Sequence, residues 1–147
     1  MLLTSGYSTK ILLFFMKTIL EGEVTVNLEN GENLSWIVKH PYLENVFYAT
    51  HEVELGAISR WKIDEKGQLK MLEKITSRGT YPTHLAINDK GTALYVANYG
   101  LPSGSFTVFN LDKVSGKMNI LGPIINTYFS VLNRSSGPNK YAGGSIS

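Results

Sequence analysis

Cysteine is absent from the 147 residues. Disulfides, thiol catalysis and zinc–thiolate centres are therefore excluded. The absence fits a reducing compartment, and a cytoplasmic location is expected. Long hydrophobic runs are also missing. The longest, Ile11 to Met16, has six residues, against the roughly 20 that a membrane helix needs. That run lacks a cationic start, and no small-residue cleavage pattern follows it, so neither a leader nor a membrane partner is expected. An excess of one charge is lacking too. Fourteen Lys and Arg face twelve Asp and Glu, a net charge of +2, with no block of like charges. A nucleic-acid partner, which needs a basic face, is not expected. The three histidines have no compact metal spacing. There is no glycine-rich phosphate loop followed by lysine, no nucleophile elbow and no dinucleotide fingerprint. No metal or cofactor is expected. Asn33-Leu34-Ser35 and Asn133-Arg134-Ser135 match the glycosylation acceptor and read as chance matches.

What remains is a β-rich chain, 43% apolar, with 14 glycines. Short β-favouring runs alternate with turns bearing glycine: Asn30-Gly31, Lys66-Gly67, Lys90-Gly91, Ser103-Gly104 and Ser115-Gly116. The runs are Ile11–Met16, Val24–Leu28, Trp36–Lys39, Asn45–Thr50, Ala57–Ile63, Leu69–Leu72, His84–Ile87, Ala93–Asn98, Ser105–Leu111, Met118–Leu121 and Tyr128–Leu132. No window carries a convincing apolar stripe at helical spacing; Glu65–Ile75 is the nearest, and Gly67 weakens it.

The chain also repeats itself. At an offset of 48, Ile37-Val38 aligns with Leu85-Ala86, Asn45–Ala49 with Ala93–Ala97, and Ile58–Asp64 with Phe106–Asp112. After one inserted residue, Gly67-Gln68-Leu69 meets Gly116-Lys117-Met118. A looser third copy lies before residue 28. Four short strands per repeat of this length predict a propeller blade, whose two apolar faces are covered only by stacking blades around an axis. The expected fold class is all-β, a partial propeller with about three four-stranded blades' worth of sheet. The expected layout is one incomplete domain over 1–147: amino-terminal strands in 1–28, a full blade in 33–75, another in 82–124, and the start of a next blade with a loop in 125–147. Closed rings have about four to eight blades, so the chain reads as a piece or a shortened form of a longer repeat protein. An uncovered blade flank would be a route to self-association.

Asn33–Pro41 followed by Val46–Glu52 resembles a blade of the seven-bladed propeller lactonases, the family of propeller-type 6-phosphogluconolactonases and fungal carboxy-muconate cyclases. A closer resemblance runs from Gly79-Thr80-Tyr81-Pro82-Thr83-His84 through Leu94–Gly100 to Phe109. Ser5–Lys10 and Ser136–Asn139 resemble the family's opening strand and a later loop. The resemblance implies seven blades, and seven such repeats exceed 147 residues more than twofold. It also implies lactone opening, with a small acidic lactone as partner if the chain is active.

Lactone opening needs an activated water and donors for the oxyanion. His84, at the start of an inner strand, is the candidate base, since imidazole titrates near neutrality; the plainer alternative is a histidine that bonds a neighbouring loop. Glu52 is the candidate assisting acid, or else a solvated loop carboxylate. Arg78 is a candidate anion-binding residue, or a solvent-facing loop arginine. Asn98 and Tyr99 are candidate substrate-binding residues at the cleft rim, and Tyr99 alternatively packs between blades. His40 and His51 read as structural, His51 because it aligns with Tyr99. Trp36, Phe47, Tyr48, Trp61, Tyr95, Phe106 and Phe109 read as blade packing. Two other functions stay open: a muconate-type lactonizing cycloisomerase, and a non-enzymatic fragment acting in protein association.

Overall fold

The computed structural model describes residues 2–4, 10–14, 23–27, 33–100, 104–122 and 125–126, the first three stretches and the last as backbone pairing. Asn30-Gly31, Tyr128–Leu132 and most of Ser5–Lys10, together with the tail from Asn133 that includes Ser136–Asn139, lie outside the described residues. Strands β1 (Leu2–Thr4), β2 (Lys10–Phe14) and β3 (Glu23–Asn27) form one antiparallel sheet. Strands β4 (Leu34–Lys39), β5 (Val46–His51), β6 (Ala57–Ile63) and β7 (Leu69–Thr76) form a second, in sequential order. Strands β8 (Pro82–Ile87), β9 (Ala93–Asn98), β10 (Ser105–Leu111) and β11 (Met118–Ile120) repeat that order in a third. A short β12 (Ile125–Asn126) also pairs with β10, so this blade's outer edge reaches past residue 124 rather than ending there. The predicted all-β architecture is the observed one, with two four-stranded blades in full.

The recurring aspartate and glycine have a physical reason. Asp64 Oδ1 accepts the N–H groups of Lys66 and Gln68, and Asp112 Oδ1 those of Val114 and Ser115. The Ser115 backbone N–H, its hydroxyl and the Val114 N–H hold the Asp112 carboxyl below its usual range. Gly67 and Gly116 then close the two turns at φ 77° and 71°, where a Cβ would be strained. Where a helix was weakly suggested, Leu69–Thr76 is a strand, paired along all of β6.

One alignment needs correction. Val46 lies opposite Lys62, and Ala93 opposite Asn110, so the second strand of the repeat is offset by 47 rather than 48. The first hairpin turn holds one more residue: His40 N–H bonds Val46 O, whereas Asn88 N–H bonds Ala93 O. Asn45 absorbs the extra residue at φ 61°. His51 therefore corresponds to Asn98, and Glu52 to Tyr99.

The two full blades pack face to face. Val46, Tyr48 and Ile58 of the first meet Leu85, Leu94, Val96, Phe109, Leu111 and Met118 of the second. Leu34, Phe47, Ala49, Trp61 and Ile63 form a separate buried cluster on the first blade's opposite face. Every residue of β5 is consequently buried. On that opposite face Ser59 Oγ accepts the Trp61 indole N–H at 2.6 Å and meets His51 Nε2 at 2.7 Å. His51 is thus structural, though its counterpart is Asn98. The second blade's outer flank carries Tyr95 and Phe106, stacked at 5.8 Å, with Ala97 and Val108; all four are half-buried rather than open.

Polar contacts lock the blades in register. Tyr48 Oη donates to Gly116 O at 2.7 Å, and burial pushes its phenol well above the usual range. Across the turns, Tyr42 Oη donates to Asp89 O at 2.6 Å. His40 is buried, and its Nδ1 accepts the N–H groups of Tyr42 and Leu43 at 3.1 and 2.9 Å. That leaves the proton on Nε2, which donates to Gly91 O of the second blade at 3.0 Å. In the second blade Asn88 Oδ1 caps the far side of the turn instead, accepting the N–H groups of Thr92 and Ala93.

Protonating His40 would turn Nδ1 into a third donor facing two others, and burial holds its pKa below 6.5. The unfolded chain then takes the proton first as pH falls. Stability is full above about pH 6.5 and declines as pH drops from there toward the folded pKa. Urea unfolding at several pH values checks this. His40→Asn, which copies Asn88, is expected to remove this part of the slope.

Candidate active site

Antiparallel order fixes which residues share an end of the blades. Strands β4, β6, β8 and β10 start, and β5, β7 and β9 finish, at one end. The connections 52–56 and 77–81 gather there, with residues 99, 100 and 104. Glu52, Arg78, His84, Asn98 and Tyr99 all lie at that end.

The connections are clamped to one another. Ser77 N–H bonds Gly56 O, Tyr81 N–H bonds Val53 O, Tyr99 N–H bonds Tyr81 O and Gly100 N–H bonds Thr80 O. A Cβ on Gly79 would stand 2.5 Å from both Asn98 Cγ and Ser105 Oγ, and one on Gly56 would stand 2.4 Å from Gly79 O. Gly56 requires glycine because backbone stands in the way, whereas at Gly79 the Asn98 and Ser105 side chains would have to move. Arg78 and Tyr81 hold positive φ angles of 62° and 51° without being glycine. Such backbone strain costs about 1–3 kcal/mol each and tends to collect at functional segments.

His84 is exposed, the third residue of β8. Its ring meets the Trp36 indole with centroids 4.2 Å apart and planes at 56°. Trp36 occupies the same place in β4, exactly one 48-residue repeat earlier by position. Pairing shifts register between Leu34 and Ile37 in one inner strand and between Pro82 and His84 in the other. Bulges of this kind re-aim side chains, and at these irregularities the two rings meet between the inner strands of the two blades. Thr50 Oγ1 accepts the Trp36 N–H at 2.9 Å; the Ser35 and Thr50 hydroxyls are joined at 2.9 Å, and Ser35 Oγ donates to Pro82 O at 3.3 Å. Trp36, read from sequence as packing, is 41% exposed. It still packs on His84 of the neighbouring blade, while a register shift lies beside it.

Glu52 is buried. Its N–H bonds Asn33 O at 2.7 Å, and its Oε2 has no hydrogen-bond partner among the described residues. Asn98 is buried too, with Nδ2 donating to Ser105 Oγ at 3.2 Å and Oδ1 likewise without a partner. Tyr99 is exposed and packs its ring on Tyr81 at 5.6 Å. The Arg78 guanidinium donates to Gly122 O at 2.7 Å, at the outer edge of the second blade and on the opposite side of that blade from its inner strand. A groove of about 620 Å³ lies beside it, lined by Glu54, Leu55, Lys74, Thr76, Arg78 and Thr80. The structure thus brings His84 against Trp36 on the inner strands and leaves Arg78 at the rim. Among the described residues no cluster of His, Asp and Glu could hold a metal, and no helix is long and apolar enough to cross a membrane.

No curated protein matches the sequence. Solved structures do. A Bacteroides fragilis protein, named as a candidate 6-phosphogluconolactonase, superposes with TM-score 0.68 at 19% identity, over 82% of this chain and 34% of that one. A similarly named protein from Bacteroides uniformis gives 0.63 at 16%, over 82% and 35%. The periplasmic gluconolactonase of Pseudomonas aeruginosa gives 0.62 at 17%, over 83% and 37%. The chain therefore spans about a third of the length of these relatives, and at such identities they share its fold. The family model described as lactonase, 7-bladed beta-propeller, matches residues 3–136. With blade order, repeat and nearly the whole sequence in agreement, the chain belongs to the seven-bladed β-propeller lactonase family.

Proposed function

We propose that this chain hydrolyses the lactone of a sugar acid, with 6-phosphogluconolactone as the substrate. The observation that carries the reading is His84: an exposed imidazole on an inner strand, in a family of lactonases, at the end of the blades where Glu52, Asn98 and Tyr99 also lie. In the proposed route His84 accepts a proton from water as its oxygen attacks the lactone carbonyl carbon. The Asn98 amide and the Tyr99 hydroxyl donate to the oxyanion. The ring C–O bond then breaks, and the leaving ring oxygen takes the proton from the imidazolium, giving the open hydroxy acid. Glu52 stabilises the cationic imidazole or binds a sugar hydroxyl. Arg78, bonded to Gly122 O at the outer edge of the second blade, lies across that blade from His84 and takes no part in holding the phosphate. A cytoplasmic setting, suggested by the lack of cysteine, belongs to the same proposal.

The test is hydrolysis by the purified chain of 6-phosphogluconolactone and of unphosphorylated gluconolactone, each corrected for spontaneous opening. Acceleration of both is expected, with the lower KM for the phosphorylated substrate. A rate equal to spontaneous opening with both would overturn the reading. Equal KM values would remove the phosphate from the recognised substrate.

A further inference from the structure

We propose that the Trp36 indole is the platform on which the ligand's ring lies beside His84, so that the site selects closed polyhydroxylated rings over open chains. The proposal deepens the lactone-hydrolase reading and rests on it for the identity of the ring.

Exposure alone does not single out Trp36, since Leu55, Val114, Met71 and Ile120 are more exposed. The first two sit in turns, and the others on the outer strands β7 and β11. Trp36 sits in a strand whose backbone is held through Thr50, with Ser35 bridging to the neighbouring inner strand at Pro82. An apolar side chain this large, fixed in place and left 41% exposed, forgoes burial that its repeat could provide. A register shift lies at Trp36, and a similar one lies beside His84.

The 56° tilt shapes the site. Indole and imidazole meet as two walls of a corner instead of a flat stack. A pyranose-like ring has C–H groups on its faces and hydroxyls around its edge. Laid on the indole, it puts a C–H face against the electron-rich ring and turns its polar edge toward the imidazole. An open-chain polyol has no such face and gains little from the platform. The geometry therefore discriminates substrate lactone from opened product, which favours product release.

The sequence supplies the reporter. Only Trp36 and Trp61 are present, and Trp61 is 4% exposed with its indole N–H bonded to Ser59. Fluorescence titration of the full chain would use 1,5-anhydroglucitol, a ring that cannot open, against sorbitol, its open-chain counterpart. A saturable change is expected with the ring and a response at least about fivefold weaker with sorbitol. Trp36→Phe keeps a flat face and should retain part of the response in a binding assay. Trp36→Leu should raise KM for the lactone about five- to tenfold with a smaller change in kcat. Equal responses to ring and chain, or a Trp36→Leu enzyme with unchanged KM, would overturn the platform while leaving hydrolysis by His84 intact. A ring-selective signal without hydrolysis would retain the platform and remove the hydrolase reading.

Discussion

Replacing Glu73 by alanine is expected to destabilise the chain by about 3–5 kcal/mol, the usual cost of removing one member of a buried ion pair. Arg60 and Glu73 face each other across β6 and β7. Their side chains are only 10% and 15% exposed, and Arg60 Nε donates to Glu73 Oε1 at 2.7 Å. The pair also spans the blades: Arg60 Nη1 donates to Ser115 O at 2.6 Å, and Met118 N–H donates to the same Glu73 oxygen at 2.9 Å. Removing the carboxylate strands both a guanidinium and a backbone N–H. The second blade shows an apolar solution at the same position, Val108 for Arg60. Arg60→Val with Glu73→Leu should therefore be more stable than Glu73→Ala alone by about 1–2 kcal/mol, the Met118 N–H and the Ser115 carbonyl being the losses that remain. Urea unfolding of the parent and the variants decides it. If the double variant loses as much as the two single losses added, the pair is not acting as a unit.

The same contrast between the blades explains what the sequence made legible. Ala57–Ile63, Ala93–Asn98 and Ser105–Leu111 form strands at the residues where alternation and flanking turns place them. Their boundaries are local, set by aspartate and glycine within a few residues. The register of β5 is different. It depends on Asn45, which takes a left-handed conformation without the glycine that would have marked it. An offset assumed constant through that turn misaligns His51 and Glu52 by one position each. The exposure of Trp36 was not legible either, because a register shift leaves no composition signal. The contacts of His40 with Gly91 and of Arg78 with Gly122 join residues 51 and 44 positions apart. No pattern within one repeat could reveal them. Of the site, the end of the blades was readable from strand order; the depth of each side chain was not.

Replacing His84 by asparagine is expected to lower kcat/KM for the lactone by about 10²–10⁴-fold, the range supplied by a positioned general base. Stability should change little, since His84 is exposed and its recorded ring contact is with Trp36, itself partly exposed. This separation of rate from stability distinguishes the base from a histidine that only secures a loop. The loops here have their own fastenings: Tyr81 to Val53, Tyr99 to Tyr81, and Gly100 to Thr80, all through backbone groups that the substitution leaves in place. Glu52→Gln offers the complementary measurement. If the carboxylate stabilises the imidazolium, kcat falls while KM stays near the parent value; if it binds a hydroxyl in ground and transition states alike, KM rises instead. Full activity in His84→Asn would remove the base from the mechanism, and a lowered melting temperature with unchanged rate would assign His84 to the fold.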